Sequence, residues 1–543
     1  MINLTLYNNH FSINSQSEYG KNIIADMARS CLIFKNPVMT DAENLARIKQ
    51  WPVPRYIPKL IIMARPSEDV PGYTGIPIGY LPVVKTFLLL NADKARVKVK
   101  DLSYGTGAIT GFVQQTKFRD SHKLRLYQNS IAGQIFDSRR AQAISMTGSG
   151  KTIIMAHVIL TKQMPAVILC HRRLLVKQWA KAFSFLSDGA ITPYTLVSGK
   201  VTKGNCKILI STFQSIGEYS EKSERTLLSK QHYDPLLRIK LASLPVPDSN
   251  MLKEKHLATL AKQGLALREF DKLALIIDEA HVAPAFAYFN IANAFTPSIL
   301  YGCTATPFRK DGRSIFANAL FTTKTFETDT KSVLGYLAKM RYISVNINSY
   351  FQEKEIISAM TAESVVLDSE HLKLVVGDPL RYSVLLETIK IIASKNLSCA
   401  VICGNNLWLV ELLKDALDAS GIASKCILGE TSAADREAAI ADTLTKKNLI
   451  LLATSTLDEG VDIPSLDAVV FAVPFSSKIV AIQRAGRVSR LAPGKIKGLV
   501  IDFADELIPR LMLTHHIRKR HVVTAFAIRE AFKTDLTDLI NLI

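Results

Sequence analysis

The chain has 543 residues, 48% hydrophobic and 21% charged, which is the balance of a globular protein and excludes a disordered or fibrous one. Lysine plus arginine exceeds aspartate plus glutamate by 67 to 48, a net charge of +19 that calls for a polyanionic partner, either nucleic acid or an anionic membrane surface. No apolar run is long enough to span a bilayer, and the first sixteen residues lack the basic-then-apolar layout of a signal peptide, so a cytoplasmic location is expected. The cysteines number seven, an odd and scattered set. Cys399 and Cys403 have no second pair beside them, so buried thiols are expected rather than a zinc site or disulfides.

In chain order, the first 103 residues read as a small α/β accessory domain. It opens with a hairpin, Ile2–Leu6 and 11–13 around a turn at Asn8 and Asn9, and carries a proline cluster from Pro52 to Pro82. From 104 to 322, short apolar runs alternate with amphipathic helical stretches, the pattern of a parallel-sheet α/β domain. Strands are predicted at 141–146, 166–171, 207–211, 273–278 and 299–304. A charged, helix-like insert is predicted at about 217–269, with a Pro-rich turn at 244–250. A second domain of the same kind runs from 323 to 510, with strands at 398–403, 423–428, 448–453, 468–472 and 497–503. The tail, 511–543, has helical periodicity.

Two segments at strand ends carry chemistry. Met146-Thr147-Gly148-Ser149-Gly150-Lys151-Thr152 follows an apolar run and opens a helix, the setting of a phosphate-binding loop. Its glycines let backbone N–H groups turn toward phosphate oxygens, Lys151 would reach the β and γ phosphates, and Thr152 would hold Mg²⁺. The small residue usual five positions before Gly150 is Ser145 here. Asp278-Glu279-Ala280-His281 ends another apolar run, placing Asp278 to bind Mg²⁺ through water and Glu279 to polarise an attacking water.

Farther on, 482–490 (Ile-Gln-Arg-Ala-Gly-Arg-Val-Ser-Arg) sets Arg487 and Arg490 three apart, on one face if helical, as arginine fingers require. The order Met-Thr-Gly-Ser-Gly-Lys-Thr, Asp-Glu-Ala-His, Thr304-Ala-Thr306-Pro, Thr454 with its Gly460-Val-Asp462, and Gln-Arg-Ala-Gly-Arg-Val-Ser-Arg resembles motifs one, two, three, five and six of superfamily 2 helicases and translocases. The resemblance covers about residues 120–510. Within it, Leu124-Arg125-Leu-Tyr127-Gln128 resembles the adenine-recognition element, 171–179 resembles motif Ia and 211–215 motif Ib. The wording favours the XPB-like branch and, within it, phage branch-migration helicases of the UvsW type.

The resemblance implies two tandem RecA-like domains and an enzyme that hydrolyses ATP with Mg²⁺ to move on DNA. It implies an ATPase core of Lys151, Thr152, Asp278 and Glu279, with Gln483, Arg487 and Arg490 acting on the phosphates. Gln483 stands where many relatives have histidine. Arg125, Tyr127, Gln128, Gly460 and Asp462 would also contact the nucleotide. His281, Thr304 and Thr306 would couple hydrolysis to movement, and Arg172, Arg173, Thr212, Gln214 and Thr454 would touch the DNA backbone. Basic clusters at Lys94, Arg96, Lys98 and Lys100, at Lys478 to Lys497, and at 515–521 suit a DNA-tracking surface. The function expected is unwinding or branch migration of forked, branched or single-stranded DNA. The alternatives are a restriction motor subunit, an RNA helicase, or a nucleotide-gated clamp.

Overall fold

The computed structural model describes residues 1–7, 10–36, 60–67, 71–92, 97–101, 124–146, 148–218, 232–234, 239–243, 251–270, 272–305, 313–322, 325–348, 375–445, 448–455, 463, 465–492, 495 and 497–543. These fall into two compact units, Met1–Ser145 with Gly150–Thr328, and Met146–Ser149 with Asp329–Ile543.

The first unit opens with β1 (Ile2–Leu6), β2 (His10–Asn14), β3 (Ile33–Lys35), β4 (Leu60–Ile62), β5 (Arg65–Pro66), β6 (Gly72–Pro77) and β7 (Val97–Asp101). The expected hairpin is present: β1 and β2 pair antiparallel with Leu4 opposite Ile13, and both residues are buried. Its turn, at Asn8 and Asn9, lies outside the described residues, as do Pro52 and the other prolines at 37–59. The five-strand order is β5-β6-β2-β1-β7. The helix Glu18–Cys31 packs on this sheet, started by Ser17, whose hydroxyl accepts the Gly20 N–H.

The unit continues with β8 (Arg140–Ile144), β9 (Ala166–Cys170), β10 (Tyr194–Val197), β11 (Lys200–Thr202), β12 (Ile208–Thr212), β13 (His232–Asp234), β14 (Ile239–Ser243), β15 (Ala274–Asp278), β16 (Ile299–Thr304) and β17 (Thr325–Glu327). Eight of them form one sheet, β11-β10-β12-β9-β15-β16-β8-β17. All its pairings are parallel except that of the edge strand β11. β9, β12 and β15 are buried along their whole length and apolar except for Ser211, Thr212 and Asp278 at their carboxyl ends, as parallel strands covered on both faces must be. Because β17 hydrogen-bonds to β8, this sheet runs past residue 322.

The insert is not helical throughout. β13 and β14 form a hairpin, and β14 continues in parallel onto β4, so the insert and the N-terminal segment share a four-stranded sheet, β13-β14-β4-β3. A helix follows at Glu254–Lys262. The 244–250 turn is outside the described residues. The N-terminal segment also shares its apolar core with the larger sheet, through Phe11, Ile76 and Tyr80 on one side and Leu275, Phe316 and Leu320 on the other. Tyr80 donates its hydroxyl to the Ile315 carbonyl at 2.8 Å. Gly79 admits the neighbouring helix at the backbone: a Cβ there would fall 1.8 Å from the Asn318 carbonyl oxygen.

The second unit holds β18 (Met340–Ile347), β19 (Cys399–Ile402), β20 (Ser424–Ile427), β21 (Ile450–Ala453), β22 (Ala468–Phe471), β23 (Gly498–Asp505) and β24 (Glu530–Thr534) in one all-parallel sheet, β20-β21-β19-β22-β23-β18-β24. The tail is therefore not helical throughout. After the helix Pro509–Ala525, the chain turns at Ala527 (φ 46°) and returns as the edge strand β24 before a last helix, Leu536–Leu542. β24 reads Glu-Ala-Phe-Lys-Thr, and an edge strand with charged residues gives no apolar-run signal. All seven cysteines are free; six are buried, and Cys426 is half-buried.

Candidate functional site

The parallel register of the first sheet decides which residues meet. Asp278 lies beside Cys303, Thr304 beside Ile144, and Thr212 beside Cys170. Segments far apart in sequence thus reach one edge, the carboxyl ends of the strands, where open α/β sheets bind ligands.

The phosphate loop leaves β8 at Ser145, whose N–H donates to the Thr304 carbonyl at 3.0 Å. The Ser145 hydroxyl accepts a 3.0 Å hydrogen bond from Thr328 Oγ1, which accounts for serine at this position. Gly148 and Gly150 have φ of +85° and +82°, the left-handed values the loop needs. The helix Lys151–Lys162 starts at Gly150 with no acidic residue in its first turn, leaving its N–H groups and partial positive charge for an anion. Thr152 is the second residue of that helix. Ser149 is buried, and Lys151 Nζ donates to the Ser145 carbonyl at 3.2 Å. Thr147 lies outside the described residues.

Gln128 is buried in the first turn of the helix Leu126–Phe136, where its Oε1 accepts the Arg125 N–H at 3.0 Å. Its Nε2 would lie 2.5 Å from a Cβ added to Gly150, so Gln128 and the turn at Gly150 are in contact. Arg125 Nη1 donates to Tyr127 Oη at 3.3 Å.

Asp278 is held on both oxygens. Oδ2 accepts from Trp179 Nε1 at 2.8 Å, while Oδ1 accepts from the Glu279 N–H at 2.9 Å and from Cys303 Sγ at 3.3 Å. Glu279 has φ 49°, a strained value for a residue with a side chain. Its Oε2 lies 3.3 Å from His281 Nδ1, which is hydrogen-bonded to Thr304 Oγ1 at 3.0 Å. Burial, and then the neighbouring Glu279 charge, raise the Asp278 pKa against the pull of its hydrogen bonds and of Lys151. Burial would also raise Glu279, but the His281 hydrogen bond and the charges of Lys151, His281 and His171 outweigh it and hold Glu279 below the usual range. Of the two, Glu279 is the more readily ionised. The oxygen donors Asp278 and Thr152 suit a hard cation such as Mg²⁺, which takes one or two protein oxygens beside phosphate.

The expected nucleic-acid contacts divide. Arg172 is the uncapped first residue before the helix Arg173–Leu186, and Arg173 is exposed. Gln214 is exposed, with Nε2 donating to Tyr288 Oη at 2.7 Å. Thr212, by contrast, is buried and caps the short helix Phe213–Ile216 through the Ser215 N–H, so its hydroxyl is already engaged. Thr306 lies outside the described residues.

In the second unit, Gln483 and Arg484 are buried on the helix Lys478–Ala485, and Arg484 stacks on Phe475 at 4.3 Å. Arg487 and Arg490 do not share a helical face. The helix stops at Gly486, and the chain continues through three-residue turns in which the Arg487 N–H donates to the Arg484 carbonyl. Glycine is a poor helix former, which explains the stop. Thr454 follows β21 and is buried, and the adjacent Ser455 donates its hydroxyl to Asn405 Oδ1 at 2.6 Å. Gly460 and Asp462 lie outside the described residues. Sequence reasoning missed Trp179 and Cys303 at Asp278, because their contacts span 99 and 25 positions.

Residues 121–309 match the family model described as type III restriction enzyme, res subunit, and residues 383–492 match the helicase conserved C-terminal domain. The chain belongs to the superfamily 2 helicases. Within that superfamily it falls on the branch shared by XPB and the restriction-enzyme subunits. A protein named helicase 22 of a Sulfolobus islandicus filamentous virus is 30% identical over 42% of this chain and 42% of its own length. The XPB subunit of the general transcription and DNA repair factor of Antonospora locustae is 24% identical over 42% of this chain and 29% of its own. The mitochondrial ATP-dependent helicase irc3 of Schizosaccharomyces pombe is 27% identical over 71% and 58%. The chain thus spans less than two thirds of each of these relatives. Among solved structures, S. cerevisiae Dbp5 bound to RNA and ADP BeF3 matches 80% of this chain and 96% of its own at TM-score 0.52 and 16% identity, a likeness of fold. No helix among the described residues is long and apolar enough to cross a membrane.

Proposed function

We propose that this helicase-family chain is an ATP-dependent DNA helicase or translocase that unwinds or branch-migrates forked and junction DNA. The observation that carries the reading is the cluster at one sheet edge of Lys151, the Asp278–Glu279 pair and the His281–Thr304 hydrogen bond. In this reading the loop N–H groups and Lys151 hold the phosphates, while Asp278 and Thr152 hold magnesium. Magnesium, when bound, offsets charge on the phosphate being transferred. Glu279 orients the attacking water and accepts its proton. Arg487 and Arg490 stabilise charge on the same phosphate. The His281–Thr304 link carries the loss of that phosphate into the strand end of β16 and on to backbone contacts at Arg172, Arg173 and Gln214. Contacts to a sugar-phosphate backbone carry little sequence information, so weak sequence preference is expected.

A second reading, the motor subunit of a restriction system, is favoured by the name of the model matching residues 121–309. ATPase assays with and without DNA, run beside unwinding of forks, four-way junctions and RNA duplexes, test the proposal. DNA-stimulated turnover with fork or junction unwinding supports it. Turnover with movement on DNA but no strand separation favours the restriction motor, and RNA-only stimulation overturns the DNA assignment.

A further inference from the structure

We propose that Trp179 is a positioning residue that ties the helix beginning at Arg172 and Arg173 to the carboxylate of Asp278, so that nucleic acid engaged at the helix start alters how the protein holds magnesium. The inference rests on the ATPase reading above. It names a connection that neither the motif pattern nor the family resemblance supplies.

Trp179 lies midway along Arg173–Leu186 and is fully buried. An indole N–H can only donate, so a buried one needs an acceptor, and here the acceptor is a carboxylate oxygen at 2.8 Å. The other Asp278 oxygen is taken by Cys303 Sγ and the Glu279 N–H. Three donors, from the helix, from β16 and from the adjacent backbone, therefore fix the rotation of the carboxylate. Hydrogen-bonding partners of this kind set the orientation and basicity of a metal-holding carboxylate. The indole packs beside Phe183 of its own helix, with ring centroids 6.2 Å apart, in a core that also contains Val176 and Ile168. Close packing of that kind moves as a unit, so a shift of the helix carries the N–H with it. The same helix begins with two arginines and no acidic residue, an unfavourable arrangement at the positive end of a helix dipole that a bound phosphate relieves.

Packing alone would be served by phenylalanine; the coupling needs the N–H. The test is Trp179→Phe in the full chain, with Mg²⁺ affinity measured by calorimetry in saturating non-hydrolysable ATP analogue, with and without a single-stranded DNA oligonucleotide. In the wild type the oligonucleotide changes Mg²⁺ affinity, and Mg²⁺ changes oligonucleotide affinity by the same factor. In Trp179→Phe, Mg²⁺ binds about 10–100-fold more weakly and the mutual factor falls to about one. A second measurement leaves Trp179 in place: Trp51→Phe with Trp408→Phe makes it the sole tryptophan, and its emission should change when Mg²⁺ joins the nucleotide complex. Wild-type Mg²⁺ affinity and coupling in Trp179→Phe, or an unresponsive Trp179 emission, overturns the inference alone. A wild-type chain that binds no nucleotide overturns the ATPase reading and this inference with it.

Discussion

Arg518 grips Asp502 with two hydrogen bonds of 2.9 Å, Nε to Oδ2 and Nη2 to Oδ1, and both residues are almost wholly buried. Tyr342 donates its hydroxyl to Oδ2 at 2.7 Å, and Arg518 also donates to the Phe475 carbonyl, beside the ring on which Arg484 stacks. The helix Pro509–Ala525 is thereby pinned to β23 and to the segment leading into Arg484. Arg518→Met leaves a buried charge uncompensated and should cost about 3–5 kcal/mol. Burial pushes Asp502 up, but the Arg518 charge, together with His515 and the hydrogen bonds from Arg518 and Tyr342, outweighs it and holds it below the usual carboxylate range. Its stabilisation is therefore present above the unfolded carboxylate pKa of about 3.9 and is lost as pH falls through the lower folded value. Arg518→Met should unfold the second unit in acid at higher pH than the wild type, read from the emission of Trp408.

Lys151→Ala should abolish ATP turnover while leaving the melting of the first unit close to wild type. Lys151 is only half-buried, and its hydrogen bond to the Ser145 carbonyl is part-buried. Retained turnover would remove the phosphate-loop assignment.

Glu279→Gln keeps the shape of the side chain and removes its basicity. Nucleotide affinity should hold within a few fold, and turnover should fall by about 10²–10⁴, the usual span for loss of a positioned base. Binding measured by fluorescent nucleotide beside steady-state turnover separates the two effects.

Gly150→Ala meets two obstacles, a φ of +82° and a Cβ placed 2.5 Å from Gln128 Nε2. The left-handed conformation alone costs about 1–2 kcal/mol with a Cβ present. Apparent ATP affinity should weaken by about tenfold or more, since fewer molecules hold the competent loop. An unchanged nucleotide titration would refute this account of the loop.

DNA binding should weaken steeply with salt, as expected when Lys and Arg displace counterions from phosphates. Arg173→Ala should lower the slope of log affinity against log salt by about one, without altering sequence preference. A salt-independent affinity would separate the net charge of +19 from nucleic-acid binding.

The local signals were strong where burial is complete. Strands such as Ala166–Cys170 and Ile299–Thr304 stand out because both faces are covered, which demands unbroken apolar runs. The turn at Gly148 and Gly150 was equally legible, because a positive φ at both leaves glycine little competition. β24 was not legible, since an edge strand has one neighbour and tolerates charge. Nor was the stop at Gly486, where one glycine within a helical pattern can either continue or end it.

By itself, then, the sequence determined which residue types were available, in what order, and the two parallel-sheet units that hold them. Tertiary structure decided what they touch. Strand order, which no residue spacing encodes, brought His281 to Thr304, Trp179 to Asp278 and the insert strand Ile239–Ser243 to Leu60–Ile62. Those contacts span 23, 99 and roughly 180 positions respectively, distances over which only packing in three dimensions selects a partner.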